Sequence, residues 1–249
     1  VLMTTVTFWS EARSSRTDML LATAMMSSLY AFWRWHETKS SWYLIAFYAA
    51  VAVGMLAKGP PALVFPVLLV VAFYWRQKEE RRRTHYVLGL LAAMVPVLLW
   101  FIPARMALPE DTAVHAGIGG EMFRQVIGRF FLGVSKAAAP WKYIQNAPLD
   151  LFPWSIFLPW TVLYVWRRRR EDISMRLLLA WSVPAFVFFS ICIGKRDIYL
   201  LPIYPALAIL TARSVLDLAE SGRAVWRKRT GYAWAILLLL IGTVAFGVK

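Results

Sequence analysis

Long apolar runs alternate with short polar connectors along this chain. The runs are Met19 to Trp35, Trp42 to Ala57, Pro60 to Trp75, Tyr86 to Ile102, Leu149 to Trp166, Leu177 to Ile193, Ile198 to Ala212 and Tyr232 to Val248. Each holds about 15 to 20 residues, close to the length at which a helix crosses the hydrocarbon core of a bilayer. Backbone groups find no water partner there, so each run predicts a helix rather than an open strand. Val1 to Trp9 reads as the last turns of a further helix lacking its start, and the chain as the C-terminal portion of something larger. The predicted fold class is all-α: a polytopic membrane helical bundle of about eight spans plus a truncated first one. Residues 1–249 form a single transmembrane domain in this reading, incomplete at its N-terminus.

The connectors differ in charge by turns. Arg34 to Ser41, Arg76 to Thr84, Arg167 to Arg176 and Arg213 to Thr230 carry about 17 of the 28 Lys and Arg residues, which places them on the cytoplasmic side by the positive-inside rule. The four consecutive arginines Arg167 to Arg170 are thereby an orientation signal rather than a ligand site. Ser10 to Asp18, the Lys58-Gly59 hinge, Pro103 to Pro148 and Gly194 to Asp197 face outward. The outer loop 103–148 is the one long connector. Within it Met122, Phe123, Val126, Ile127, Phe130 and Phe131 recur at helical spacing, predicting an amphipathic helix lying in the outer interface.

Composition agrees with the pattern. The chain is 59% hydrophobic with 13 Trp, 15 Phe and 10 Tyr, more apolar surface than a soluble domain of 249 residues could cover. The net charge of +14 resides in the connectors, and no groove-reading or aromatic-basic module accompanies it, so nucleic acid is not an expected partner. A single cysteine, Cys192, excludes an internal disulfide framework and a cysteine-rich metal site.

Charge on the outer side needs another explanation than orientation. Gly194-Lys195-Arg196-Asp197 is squeezed between two apolar runs, and ionisable groups at the rim of the hydrocarbon are costly unless they serve a purpose. Asp197 could balance Lys195 and Arg196. Asp18 falls in the first turn of an outer helix end, where an acid also favours the helix dipole. Lys58 sits in the tight hairpin Leu56-Ala57-Lys58-Gly59-Pro60-Pro61, whose glycine and prolines stop one helix and start the next. Lys58, Lys195 and Arg196, with Arg13, Arg16 and Arg129 in the same layer, suit a lipid-linked phosphate: guanidinium groups grip its oxygens in pairs and lysine acts as a point charge. Asp18 could not bind that phosphate and would serve the other reactant or position the cations. Neither a zinc-protease helix, a nucleophile elbow nor a dinucleotide glycine run is present.

These residues resemble the membrane glycosyltransferases of the GT-C type, specifically the protein O-mannosyltransferase and aminoarabinose (lipid A) transferase superfamily. Arg16-Thr17-Asp18-Met19 is similar to its Arg-x-Asp element, Leu56-Ala57-Lys58-Gly59-Pro60 to its Lys-Gly-Pro hairpin, and Phe152-Pro153-Trp154-Ser155 to its Pro-Trp-Ser motif. Gly194-Lys195-Arg196, then Tyr199-Leu200-Leu201-Pro202 and Pro205-Ala206-Leu207-Ala208, resemble a further stretch. The resemblance implies sugar transfer from a polyprenyl-phosphate donor to a lipid A, protein or glycan acceptor, at the outer face of a bacterial inner membrane. It implies that Asp18 is the supporting acid, the principal acid lying upstream, and that Lys58, Lys195, Arg196, Arg16, Arg129 and Tyr199 contact the donor phosphate. Gln125-Val126-Ile127-Gly128-Arg129-Phe130 departs from the family's Glu-Asn/His-x-x-Arg-Phe element, keeping only Arg129 and Phe130. No cofactor or metal is expected of this chain itself; a divalent metal is left open for the full-length protein. Activity of this chain alone is not expected. The rival readings are a transporter or flippase of a lipid-linked substrate and a non-catalytic assembly subunit.

Overall fold

The computed structural model describes residues 1–14, 16–59, 61–74, 80–106, 137–169, 172–220 and 232. The interfacial helix expected around Met122 to Phe131, Arg129, and the expected span Tyr232 to Val248 beyond Tyr232 itself lie outside the described residues.

The described backbone is almost wholly helical, as the apolar runs predict. A 3-10 turn (Leu2–Thr4) leads into α1 (Val6–Ala12), followed by α2 (Thr17–Thr38), α3 (Ser41–Lys58), α4 (Pro61–Tyr74) and α5 (Glu80–Met106). Then come α6 (Lys142–Asp150), α7 (Leu158–Arg168), α8 (Ile173–Ile191) and α9 (Tyr204–Glu220). Ser41–Lys58, Ile173–Ile191 and Asp197–Glu220 are long and apolar enough to cross a membrane; Pro61–Tyr74 and Leu88–Pro103 are shorter apolar stretches. This is a helical membrane bundle.

Helices α2 and α3 form an antiparallel hairpin closed by Lys39, which takes the left-handed conformation (φ 56°) that ends a helix. Lipid tails give apolar helices no solvent-driven reason to associate, so close packing and hydrogen bonds between helices carry the assembly. Gly54 allows the closest approach: a Cβ there would lie 2.5 Å from Met25 Cε and 3.3 Å from Ala62 Cβ, so α2, α3 and α4 meet at this point. Aromatic rings fill the space beyond it. Phe32 meets Phe47 in a tilted contact at 5.7 Å and Phe73 edge-to-face at 5.5 Å, while Phe65 meets Trp181 at 5.5 Å and Phe189 at 5.6 Å, tying α4 to α8. Helices α7 and α9 are joined by Thr161 and Ser214, whose hydroxyls are 2.9 Å apart, and by Trp160 Nε1 donating to the Ser214 carbonyl at 3.1 Å. Large apolar side chains such as Trp42, Leu99 and Ile191 stay exposed, as a lipid-facing surface requires.

Three segments depart from the sequence reading. Leu149 to Trp166 is not one span. Helix α6 ends at Asp150, a turn with a cis Phe152–Pro153 bond follows, and a 3-10 turn (Trp154–Phe157) precedes α7. The two prolines, Pro153 and Pro159, cannot donate the backbone bonds an uninterrupted helix would need. Ile198 to Ala212 likewise opens as a 3-10 segment (Asp197–Ile203) containing Pro202, and only then becomes α9. The first helix starts at Val6 rather than at Val1, with its Val6 N–H bonded to the Phe152 carbonyl at 2.9 Å. At the edges of the outer loop, α5 runs on to Met106 and α6 begins at Lys142.

Candidate functional site

Three helix ends and one non-helical segment build the outer layer. Asp18 lies in the first turn of α2, buried at 6% exposure. Lys58 is the last residue of α3. Its hairpin depends on Gly59, whose φ of 77° belongs to the region that glycine adopts without penalty, and whose N–H closes α3 on the Met55 carbonyl at 2.6 Å. That turn aims the lysine back across the helix end, and Lys58 Nζ forms an ion pair with Asp18 Oδ1. Each is the counter-ion of the other. An anion arriving at Lys58 would share the lysine with Asp18 or draw it away.

The second part is the segment between α8 and the 3-10 turn. Lys195 is buried at 1% exposure, and its ammonium donates to the Cys192 carbonyl at the end of α8. Burial pushes the Lys195 ammonium below its ordinary pKa, with the charge of Lys142 adding to the effect. Arg196 is exposed at the surface. Tyr199 lies against Phe189 with ring centroids 5.7 Å apart. The 3-10 segment that follows packs on α2, where Met19, next to Asp18, joins the cluster of Phe8, Ala22, Leu201 and Tyr204. The Asp18–Lys58 pair and the Lys195-to-Tyr199 segment are thus parts of one outer layer. Arg16 stands at its edge, exposed and 3.4 Å from Glu11.

Helix α6 straps this layer in place, which the sequence reading did not foresee. Tyr143 Oη donates to the Arg196 carbonyl at 3.2 Å, Asn146 Nδ2 donates to Asp197 Oδ1 at 3.1 Å, and Lys142 Nζ lies 3.3 Å from the same oxygen. Asp197 therefore balances Lys142 rather than its neighbours Lys195 and Arg196. Just before α6, Ala137 pairs with Gly194 in an antiparallel bridge, and the Ala138 N–H reaches the Ile193 carbonyl at 3.2 Å. At the far end of α6, Asp150 accepts from Thr7 Oγ1 at 3.1 Å, and Trp154 Nε1 donates to Thr4 Oγ1 at 2.8 Å. Desolvation raises the Asp150 carboxyl pKa, opposed by the Thr7 bond and reinforced by Asp197. Burial likewise pushes the Tyr143 phenol up. Lys142, Asn146 and Asp150 recur every four residues, which places them on one helix face; that spacing was the signal in the sequence.

The opposite layer is structural. Arg34 pairs with Glu37 at 3.0 Å, Arg168 with Asp217 at 3.0 Å, and Arg213 with Asp172 at 3.1 Å. Among the described residues, no three or more His, Cys, Asp or Glu side chains converge in a way that could hold a metal ion.

Comparison with known proteins adds an independent line. Residues 1–100 match the family model described as dolichyl-phosphate-mannose-protein mannosyltransferase. The undecaprenyl phosphate-alpha-4-amino-4-deoxy-L-arabinose arabinosyl transferase 2 of Proteus mirabilis is 30% identical over 221 residues, covering 86% of this chain and 39% of that protein. The corresponding transferase of Photorhabdus laumondii is 30% identical over 199 residues, covering 79% of this chain and 35% of the relative. The chain thus spans less than half the length of the curated relatives it matches. In three dimensions the crystal structure of ArnT from Cupriavidus metallidurans bound to undecaprenyl phosphate superposes with a TM-score of 0.76 at 23% identity, over 98% of this chain and 44% of that one. The apo structure of the same protein gives 0.68 at 22% identity. At that identity the likeness is one of fold.

Proposed function

We propose that the chain belongs to the membrane glycosyltransferase superfamily of protein O-mannosyltransferases and aminoarabinose (lipid A) transferases, and that it serves sugar transfer from a polyprenyl-phosphate donor at the outer face of a bacterial inner membrane. The observation that carries the reading is the Asp18–Lys58 pair at the outer ends of α2 and α3, beside the Lys195-to-Tyr199 segment. The names of the relatives make undecaprenyl-phosphate-linked 4-amino-4-deoxy-L-arabinose the first donor to try, with lipid A ahead of protein or glycan as acceptor.

In this mechanism an acceptor oxygen attacks the anomeric carbon while the bond from that carbon to the phosphate oxygen breaks. The acceptor's proton passes to a general base, and the polyprenyl phosphate departs with its charge. Cations placed where that charge develops lower the barrier. Lys58 is the residue for this work, because an incoming phosphate competes with Asp18 for it. Asp18 keeps Lys58 oriented before the donor arrives and takes it back afterwards, as the supporting acid. Arg196, exposed beside it, offers a paired grip on phosphate oxygens. Lys195, Tyr199, Arg16 and Arg129 complete the proposed donor set, Lys195 by leaving the Cys192 carbonyl for the phosphate. A donor already resident in the membrane explains why no nucleotide-binding domain is needed.

The test is transfer of labelled sugar from the polyprenyl-phosphate donor by the whole protein. Turnover should fall at least tenfold in Asp18→Asn and in Lys58→Ala. Wild-type turnover in both variants would refute the site. Movement of the labelled lipid across vesicles without sugar transfer would support the flippase reading instead.

A further inference from the structure

On the cytoplasmic side, away from the outer layer, an open groove of about 1100 Å³ runs between α4 and α8. Its walls are apolar and include Leu68, Val71, Leu179 and Val183, of which Val71 and Val183 are about half exposed. Its mouth carries Arg169 and Arg176. Arg176 is anchored: its Nη2 donates to the Phe73 carbonyl at 2.8 Å, and its guanidinium carbon lies 4.7 Å from the centre of the Phe73 ring. Among the described residues one donor of five is used, and the rest of the fork is held at the groove mouth. Arg169 is fixed over the Trp166 ring at 3.7 Å. Among the described residues neither arginine is paired with a carboxylate. The acid that shares the groove, Asp172, accepts from the Ser174 N–H and hydroxyl and is neutralised by Arg213.

We propose that this groove is a binding site for an anionic phospholipid of the cytoplasmic leaflet, with the headgroup phosphate between Arg169 and Arg176 and an acyl chain against Leu68, Val71, Leu179 and Val183. Charge complementarity selects the occupant. Among the described residues the mouth holds the guanidinium groups of Arg169 and Arg176, while its carboxylate, Asp172, is already neutralised by Arg213; it lies at the level where anionic headgroups reside, and basic pockets between helices on this side are suited to such lipids. From Arg176 the walls continue to Pro184, about 12 Å along α8 at helical rise, which accommodates a chain and not a headgroup alone. Orientation accounts for arginines in this connector, but it requires neither that Arg176 be anchored nor that an apolar channel open beneath it. The proposal is independent of the transfer reaction.

The experiment is native mass spectrometry of the detergent-solubilised full chain, equilibrated with equal amounts of phosphatidylglycerol and phosphatidylcholine of matched acyl chains. The wild-type chain should retain phosphatidylglycerol at least fivefold over phosphatidylcholine. Arg169→Gln, which leaves the Arg176 bond to the Phe73 carbonyl in place, should bring the ratio below twofold, and the Arg169→Gln/Arg176→Gln pair should bring it to parity. Val183→Trp should reduce binding of both lipids by filling the channel while keeping both charges. Arg167→Gln, the same charge change on the outside of α7, should leave the preference intact. Equal retention of the two lipids by the wild-type chain, a preference that survives Arg169→Gln, or undiminished binding by Val183→Trp would overturn the site.

Discussion

Lys58 and Asp18 stand forty residues apart in sequence and pair across the outer ends of adjacent antiparallel helices. Removing either side chain breaks the pair at a site where the acid is 8% and the lysine 24% exposed at the side chain. For such a half-screened pair the cost falls between exposed and fully buried values, about 2 kcal/mol. Asp18→Asn and Lys58→Met should each lower stability by that amount. The double variant should recover part of it, because no unpaired charge remains. Sugar transfer should not recover, so a thermal-unfolding cycle run beside the activity assay separates the fold from the chemistry.

Trp181 joins α8 to the 3-10 segment: its ring lies on Phe65 and its Nε1 donates to the Pro202 carbonyl at 2.9 Å in a buried setting. Trp181→Phe keeps a ring there and removes the donor, at a cost of about 1 kcal/mol. Amide exchange should quicken across Asp197–Ile203 and remain unchanged in α3.

Asp150 titrates above its ordinary value of 3.8 because desolvation disfavours the carboxylate. The native state therefore holds its proton to higher pH than the unfolded chain. Stability is fullest below the ordinary value and declines as pH rises from there through the raised one. Asp150→Asn still accepts from Thr7 and cannot ionise. It should raise the unfolding midpoint at pH 7, and the gain should vanish as the pH approaches 4. Asp172, on the cytoplasmic side, has the opposite sign: the Ser174 hydroxyl and N–H, then Arg213, lower its pKa. Its contribution is present above the ordinary carboxylate value and lost as pH falls.

Gly54→Ala gains about 0.5–1 kcal/mol of helix propensity, offset by the squeeze on Met25 and on Ala62. The two effects nearly cancel, because the Met25 methyl is the free end of a flexible chain. Gly54→Val adds bulk that cannot yield and should cost about 1–3 kcal/mol. Unfolding midpoints of the two variants should thus separate clearly, with alanine near the wild type.

The helical spans are legible where apolar residues run on without proline, as in α3. They are misread where proline falls in the first turns of the run, whereas Pro66 inside α4 and Pro184 inside α8 leave those helices continuous. Pro153 and Pro202 each convert the start of an apparent span into turns and 3-10 geometry, and hydropathy does not register a missing N–H. At the site, Asp18 and Lys58 were each legible from their helix ends, but their pairing needed the turn at Gly59. Asp197 was assigned to its neighbours in sequence, and its partners came from Lys142 and Asn146 on a helix hidden within an apparent loop. Local charge could not reveal a partner fifty residues away.

The strap of α6 has a mechanical consequence. Tyr143, Asn146 and Lys142 hold the backbone at Arg196 and the side chain of Asp197, while Ala137 and Ala138 grip the strand just before them. The end of the long outer connector and the segment bearing Lys195, Arg196 and Tyr199 are therefore one lever. A ligand that draws those cations inward must move α6 with them.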